Sequence, residues 1–110
     1  MANDFKRKLS RSVGTSLTAV RSYTVGASTQ TTVIGLTVAN TTASQVLVDA
    51  TVNDGSNDTY IVKSAPVPAG GSLVIIGGDQ KVVLETNDSI KVKSDTASSV
   101  DVVMSILEIT

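Results

Sequence analysis

Apolar and polar side chains alternate with a period close to two along most of the chain after residue 16. The segment 46–53 shows this best, with Val or Ala at every even position from 46 to 52. Successive side chains of a β-strand point to opposite faces, so this alternation predicts a strand with one face in a core. Similar runs predict further strands at 17–23, 32–39, 59–65, 73–76, 82–84, 90–93 and 100–109.

Turn-forming residues separate these runs. Asp54-Gly55 lies in the polar loop 53–58 and supplies the positive-φ position of a hairpin. Pro66 and Pro68 end the preceding strand or place it at a sheet edge, because proline cannot donate to a ladder. The sequence therefore predicts an all-β fold: a single antiparallel β-sandwich of about eight short strands, jelly-roll or immunoglobulin-like. It does not predict the strand order.

The first fifteen residues differ from the rest of the chain. Phe5, Leu9 and Val13 are spaced four apart with basic residues between them. We predict an N-terminal arm over residues 1–15, extended or a short helix, followed by a β-sandwich domain over 16–110. So short a helix is marginal in isolation, so the arm is expected to order only against another surface. A solvated, disordered terminus is the alternative.

Charge is distributed unevenly between the arm and the body. Residues 1–21 carry five basic side chains against one acid, a net +4, whereas 22–110 carry four lysines against nine acids, a net −5. An acidic body repels nucleic acid, so contact with protein is favoured over contact with phosphate. The residues predicted to contact other subunits are Phe5, Lys6, Arg7, Lys8, Leu9, Arg11 and Val13.

The composition argues against catalysis. The chain has no cysteine and no histidine, so it offers no thiolate, no disulfide and no imidazole base. Most of the acidic residues fall in turns or on polar strand faces. We therefore expect no enzyme activity, no catalytic residue, no cofactor, no metal and no small-molecule substrate.

Neither a membrane segment nor a signal peptide is expected. No run approaches the ~18 apolar residues of a transmembrane helix, and the first residues contain no apolar h-region. The oxygen-rich loop 53–58 could bind calcium, but it lacks the EF-hand spacing, and a turn chosen for its φ angles is the preferred interpretation.

Several segments together resemble small β-sandwich virion proteins of tailed bacteriophages. They are VIGLTVANTT (33–42), VPAGGSL (67–73), GGDQKVVLE (77–85), NDSIKV (87–92) and SVDVVMSILEI (99–109). The likeness covers roughly residues 15–110 and rests on the order of the segments. The arm is not part of it.

This resemblance implies a structural component of a virion, assembled in the host cytoplasm and present in many symmetric copies. It implies a position at the neck or collar, or on the capsid surface as a decoration protein. The partners would be capsid, connector or tail subunits and further copies of the chain. It carries over no catalytic residue.

Two alternatives from other classes remain open. A carbohydrate- or receptor-binding module of a fibre or adhesin would need exposed aromatic rings, and only Tyr23 and Tyr60 could supply them. Tyr60, close to the 53–58 loop, is the residue to test. A calcium-dependent adhesive domain is the other alternative.

Overall fold

The computed structural model describes residues 2–110, which form nine β-strands and one 3₁₀ turn. The strands are β1 (Asn3–Val13), β2 (Thr18–Ala19), β3 (Gln30–Asn40), β4 (Val46–Asn53), β5 (Asp58–Val67), β6 (Ser72–Ile76), β7 (Val82–Leu84), β8 (Ser89–Ser94) and β9 (Val100–Ile109). The 3₁₀ turn spans Val20–Ser22. In this part of the chain, no helix is long and apolar enough to cross a bilayer.

The strands form two antiparallel sheets. Sheet A has the order β1-β9-β3-β6, with β7 also pairing with β3, and sheet B has the order β2-β8-β4-β5. Most connections cross from one sheet to the other, and β6 and β7 lie one after the other along β3. Counted as one interrupted strand, they complete the eight-stranded pattern of a jelly roll. The predicted all-β sandwich is confirmed.

The core lies between the sheets and is built from aliphatic side chains. Strand β9, at the centre of sheet A, buries Val102, Met104 and Ile106 and turns Val103 and Ser105 outwards. This is the alternation that the sequence predicts. Tyr23 is the one aromatic residue in the buried cluster described by the structure.

The hairpin predicted around Asp54-Gly55 is confirmed. Strands β4 and β5 pair antiparallel up to Asn53 and Asp58, and Gly55 has a φ of 99°. Strand β5 is an edge strand that contains Pro66, as expected of a strand residue that cannot donate a ladder hydrogen bond.

The N-terminal segment is extended and is part of the sandwich. Residues 3–13 form β1, which pairs with β9 from Asn3↔Ile109 to Val13↔Val100. A helix does not form there. The segment pairs with a strand of its own domain, so its order does not depend on another surface, contrary to the expectation. The observed sheet A thus takes in most of the predicted 1–15 arm.

One other expectation needs correction. The predicted strand 17–23 is reduced to the two residues of β2, because Arg21 and Ser22 have positive φ values of 53° and 54° and break the extended chain. The predicted strand 73–76 is found as part of β6, where the side chain of Val74 is 63% exposed.

Candidate assembly surface

The predicted contact residues lie on β1, at one edge of sheet A. Strand β1 pairs with β9 on one side, and no other strand of residues 2–110 pairs with its opposite side. This free edge is eleven residues long and contains no proline. A long unpaired edge is a template on which another chain can add a strand.

Side chains of β1 alternate between the two faces of sheet A. Lys6 and Lys8 pair with Ile106 and Met104 of β9 and share their inward face. Phe5, Arg7 and Leu9 pair with the outward-facing Leu107, Ser105 and Val103 of β9 and lie on the outer face of the sheet.

The direction of the β1 backbone groups follows from its hydrogen bonds. Ala2 and Thr110 exchange two backbone hydrogen bonds of 3.1 and 3.0 Å. Hydrogen-bonded and non-hydrogen-bonded pairs alternate along an antiparallel ladder, so the even residues from Asp4 to Ser10 bond to β9. The N–H and C=O groups of Phe5, Arg7 and Leu9 therefore point away from the sheet and form the free edge.

A polar cluster holds β1 against the rest of the domain. The Lys6 Nζ lies 2.7 Å from Glu108 Oε1. The Tyr23 hydroxyl donates to Glu108 Oε2 at 2.6 Å and lies 2.8 Å from Thr31 Oγ1. The Lys8 Nζ lies 4.9 Å from the centroid of the Tyr23 ring, within cation–π range. One carboxylate thus joins β1, β9 and the segment before β3.

The electrostatics of this cluster are mutually reinforcing. The hydrogen bond from Lys6, followed by that from Tyr23, lowers the pKa of Glu108. The same contact with Glu108 raises the pKa of Lys6. Burial, together with the hydrogen bond to Glu108, raises the pKa of Tyr23 to about 12. Near neutral pH the cluster therefore holds an ionised pair and a protonated phenol.

Two hydrogen bonds fix the C-terminal part of β1. The Ser10 Oγ accepts from the backbone N–H of Arg21 at 2.8 Å. The Ser12 N–H donates to Asp101 Oδ1 at 2.9 Å, at a position where Ser12 has a φ of 53° and the ladder register shifts. Beyond this irregularity, Val13 enters the core.

The seven predicted contact residues therefore separate into groups. Phe5 is 76% exposed, and Arg7 and Arg11 are also exposed, so these three are available to a partner. Leu9 is half-buried on the outer face. Lys6 and Lys8 contact Glu108 and Tyr23 within the domain. Val13 is buried in the domain's own core and cannot anchor a second subunit. Whether the others contact subunits stays a prediction.

Sequence reasoning missed the residues that position β1, which are Ser10, Tyr23, Asp101 and Glu108. One signal was present. Glu108 continues the inward-facing series of Val102, Met104 and Ile106, and an acid at such a position requires a cationic or hydrogen-bonding partner. The partner's identity could not be read from the sequence, because Lys6 lies at the other end of the chain.

The 53–58 loop uses its oxygens internally. Asp54 Oδ1 accepts from the N–H groups of Ser56 and Asn57 at 3.0 and 2.8 Å, and these bonds lower the pKa of Asp54. Asp58 Oδ1 accepts from Asn53 Nδ2 at 2.9 Å. Residues 2–110 contain no cluster of three acidic, histidine or cysteine side chains placed to hold a metal. This geometry is that of a self-capped turn.

Tyr23 and Tyr60, the two candidate rings for sugar binding, have different environments. Tyr23 is buried, so its ring cannot form a surface platform. Tyr60 is 44% exposed, but Lys63 Nζ lies over its ring, 4.8 Å from the centroid. Of these two candidate rings, only that of Tyr60 is therefore exposed, and it is partly covered, where a carbohydrate platform would need an open aromatic face.

Comparison with known proteins yields a likeness of fold. No family description matches the chain, and no curated protein matches it. A solved structure described as "Bacillus endospore appendages form a novel family of disulfide-linked pili" is similar, with a TM-score of 0.58 and 14% identity over 99% of this chain and 87% of that chain. The likeness is to a pilus protein, so the resemblance to tailed-phage virion proteins stays a prediction. What this chain shares with the pilus protein is the fold.

Proposed function

We propose that this chain is a structural subunit that assembles in many copies through the free edge of β1. The observation that carries the proposal is the contrast between this edge and the others in residues 2–110. Strand β2 has two residues, β6 and β7 are short, and β5 contains Pro66 and a positive φ at Ser64. Short strands, prolines and irregularities are devices that prevent edge pairing. Strand β1 has no proline, and its one irregularity lies at its C-terminal end.

The basic residues of β1 do not block this edge as they would in an isolated strand. Lysines on an edge strand oppose pairing with another chain. Here Lys6 and Lys8 turn inwards and contact Glu108 and Tyr23. The side chains beside the free backbone groups are those of Phe5, Arg7 and Leu9, which can cover an added strand.

Charge favours a particular mode of assembly. Pairing of β1 with β1 of a second copy about a two-fold axis would bring two basic segments together. Pairing of β1 with a different edge would place it near a body that carries a net −5 over residues 22–110. A contact between two different surfaces generates a ring or a filament. We therefore propose a head-to-tail arrangement.

The proposed setting is a tailed-phage virion, at the neck or collar or on the capsid surface. The order of segments described for the sequence supports it. An extracellular appendage is the alternative, supported by the fold shared with a Bacillus pilus protein. Disulfide linkage is not open to this chain, which has no cysteine, so its contacts would be non-covalent in either setting.

The test of the edge compares Arg7→Pro with Arg7→Ala. Both variants lose the guanidinium, but only proline also removes the outward N–H. Neither disturbs the ladder with β9, because the Arg7 N–H points away from it. We expect Arg7→Ala to form rings or filaments by sedimentation velocity and negative-stain electron microscopy, and Arg7→Pro to form no ring or filament. Equal assembly of the two variants would contradict the proposal. So would a wild-type chain that does not self-assemble.

A carbohydrate- or receptor-binding module remains the second candidate, on the single observation that Tyr60 is exposed beside the 53–58 loop. A glycan array probed with wild-type chain and with Tyr60→Ala tests it. Binding that is lost in the variant would support this candidate. No binding by the wild type would dismiss it.

A further inference from the structure

The outer face of sheet A carries two apolar rows that cross its strands. One row runs through Phe5, Leu107, Thr32 and Val83, which are consecutive partners on β1, β9, β3 and β7. The second row runs through Leu9, Val103, Thr37 and Val74 on β1, β9, β3 and β6. Each row thus joins three large apolar side chains through one threonine.

Two small residues, Ser105 of β9 and Gly35 of β3, lie between the rows. Ser105 of β9 lies opposite Gly35 of β3 on one side and Arg7 of β1 on the other. Phe5 and Leu9 are four residues apart, so the two rows lie about 13 Å apart at ~3.3 Å per residue. Sheet A therefore presents two ridges with a shallow groove between them.

The outer face of sheet B is more polar, although Leu47 of β4 and Tyr60 of β5 are exposed. Asp49 lies opposite Lys93 there, with its Oδ2 3.7 Å from Lys93 Nζ, and Lys91 lies opposite Thr51. An antiparallel sheet with one face in water is expected to be polar on that face. Sheet B comes closer to this expectation than sheet A does. Val74, Val83 and Val103 of sheet A are 63%, 67% and 50% exposed.

We propose that the outer face of sheet A packs face to face on the same face of a second copy of this chain. One ridge of each copy lies in the groove of the other, as side chains interdigitate between stacked sheets. This contact stacks sheets, whereas the β1 edge extends them, so it is a second interface beyond the proposed function and independent of it.

Size and charge favour a second copy as the occupant. The molecule measures 45 by 27 Å along its two longest axes, which leaves room for the roughly 800 Å² per partner of a standard interface. Asp101 is the one charged residue at an outward-facing position of β3, β6, β7 and β9. A face with so few charges suits its own copy better than a strongly acidic or basic partner.

The experiment places charge on the two rows. Val83→Glu/Val103→Glu changes one exposed valine in each row, and Leu47→Glu/Tyr60→Glu changes two exposed apolar residues of sheet B as the matched control. Both pairs are made in the Arg7→Pro background, which removes the edge contact. Sedimentation velocity then measures the dimer dissociation constant, and circular dichroism verifies folding. Should the glutamate pair unfold, Val74→Lys/Val83→Lys on the short strands β6 and β7 replaces it.

We expect Arg7→Pro and its sheet B control to form dimers with the same dissociation constant, and the sheet A pair to weaken the dimer at least 100-fold. A bismaleimide crosslinker should join two copies of Ser105→Cys, but not of Leu47→Cys, in a chain that has no other cysteine. An Arg7→Pro chain that stays monomeric at about 1 mM, or a dimer unaffected by the sheet A charges, would overturn this interface. Assembly of Arg7→Ala would then still support the proposed function.

Discussion

Lys6 and Glu108 form an ion pair between the first strand and the last, with 2.7 Å between Nζ and Oε1. The pair lies on the inward side of the β1–β9 ladder, where Glu108 also accepts from the Tyr23 hydroxyl. Glu108 is 13% exposed, whereas Lys6 is 46% exposed. The carboxylate is therefore the buried member, and it governs how firmly β1 is held.

Replacement of Glu108 by glutamine should destabilise the domain. The amide keeps the shape but loses the charge that both Lys6 and Tyr23 contact. Loss of a hydrogen bond to a charged group costs about 1.5–3 kcal/mol, and each kcal/mol lowers the Tm of a domain of this size by roughly 4–8 °C. Thermal unfolding followed by circular dichroism measures the change. Asp79→Asn, in the exposed turn before β7, is the control and should leave the Tm within about 2 °C.

The stability that Glu108 provides should disappear in acid. Its pKa is lower in the folded chain than the ordinary value of about 4.3. A carboxyl group of this kind stabilises fully above its unfolded pKa, and its contribution is lost as the pH falls through the folded value. The difference in unfolding free energy between wild type and Glu108→Gln should therefore be constant from pH 6 to 8 and shrink below about pH 4. Urea unfolding at each pH measures it, and a difference that grows in acid would refute the assignment.

Tyr23 should titrate late in alkali. Its pKa is raised to about 12, so its contribution is complete below the unfolded value of about 10 and is lost as the pH rises through 12. Tyr23→Phe leaves Tyr60 as the only tyrosine. Subtraction of the absorbance titration of the Tyr23→Phe variant from that of wild type isolates the ionisation of Tyr23. An ionisation near pH 10 in the folded chain would show that the phenol is not held as described.

Neighbouring residues of β9 should differ sharply in their tolerance of truncation. Met104 is fully buried between the sheets, whereas Val103 is 50% exposed on the outer face. Met104→Ala should cost about 2–5 kcal/mol through lost burial and a cavity. Val103→Ala should cost less than about 1 kcal/mol. Chemical denaturation of the two variants compares them directly, and similar costs would mean that the two faces of β9 are misassigned.

The strands that could be predicted are those whose burial obeys simple alternation. Strand β9 and the β4–β5 hairpin follow directly from even-numbered apolar residues and from Asp54-Gly55. Strand β1 could not be found in this way. Its inward positions carry Lys6 and Lys8, which read as solvated residues until Glu108 and Tyr23 are placed beside them.

The local sequence also gave no indication of the break after β2. Arg21 and Ser22 adopt positive φ values that neither residue favours, and the N–H of Arg21 is held there by Ser10 of β1. Tertiary contact thus overrides the alternation that favours a strand over 17–23. The predicted contact residues lie on β1, where subunit contact stays a prediction, and their division into exposed and internally engaged residues required the fold.

The central position of β9 has a consequence for biosynthesis. Strands β1 and β3 lie on either side of it, so neither gains this neighbour until residues 100–109 have left the ribosome. Throughout translation, the nascent polypeptide therefore exposes two eleven-residue strands that lack their shared partner. Pairings so distant along the chain close slowly, and a cell that makes this protein in quantity must keep these unfinished chains apart.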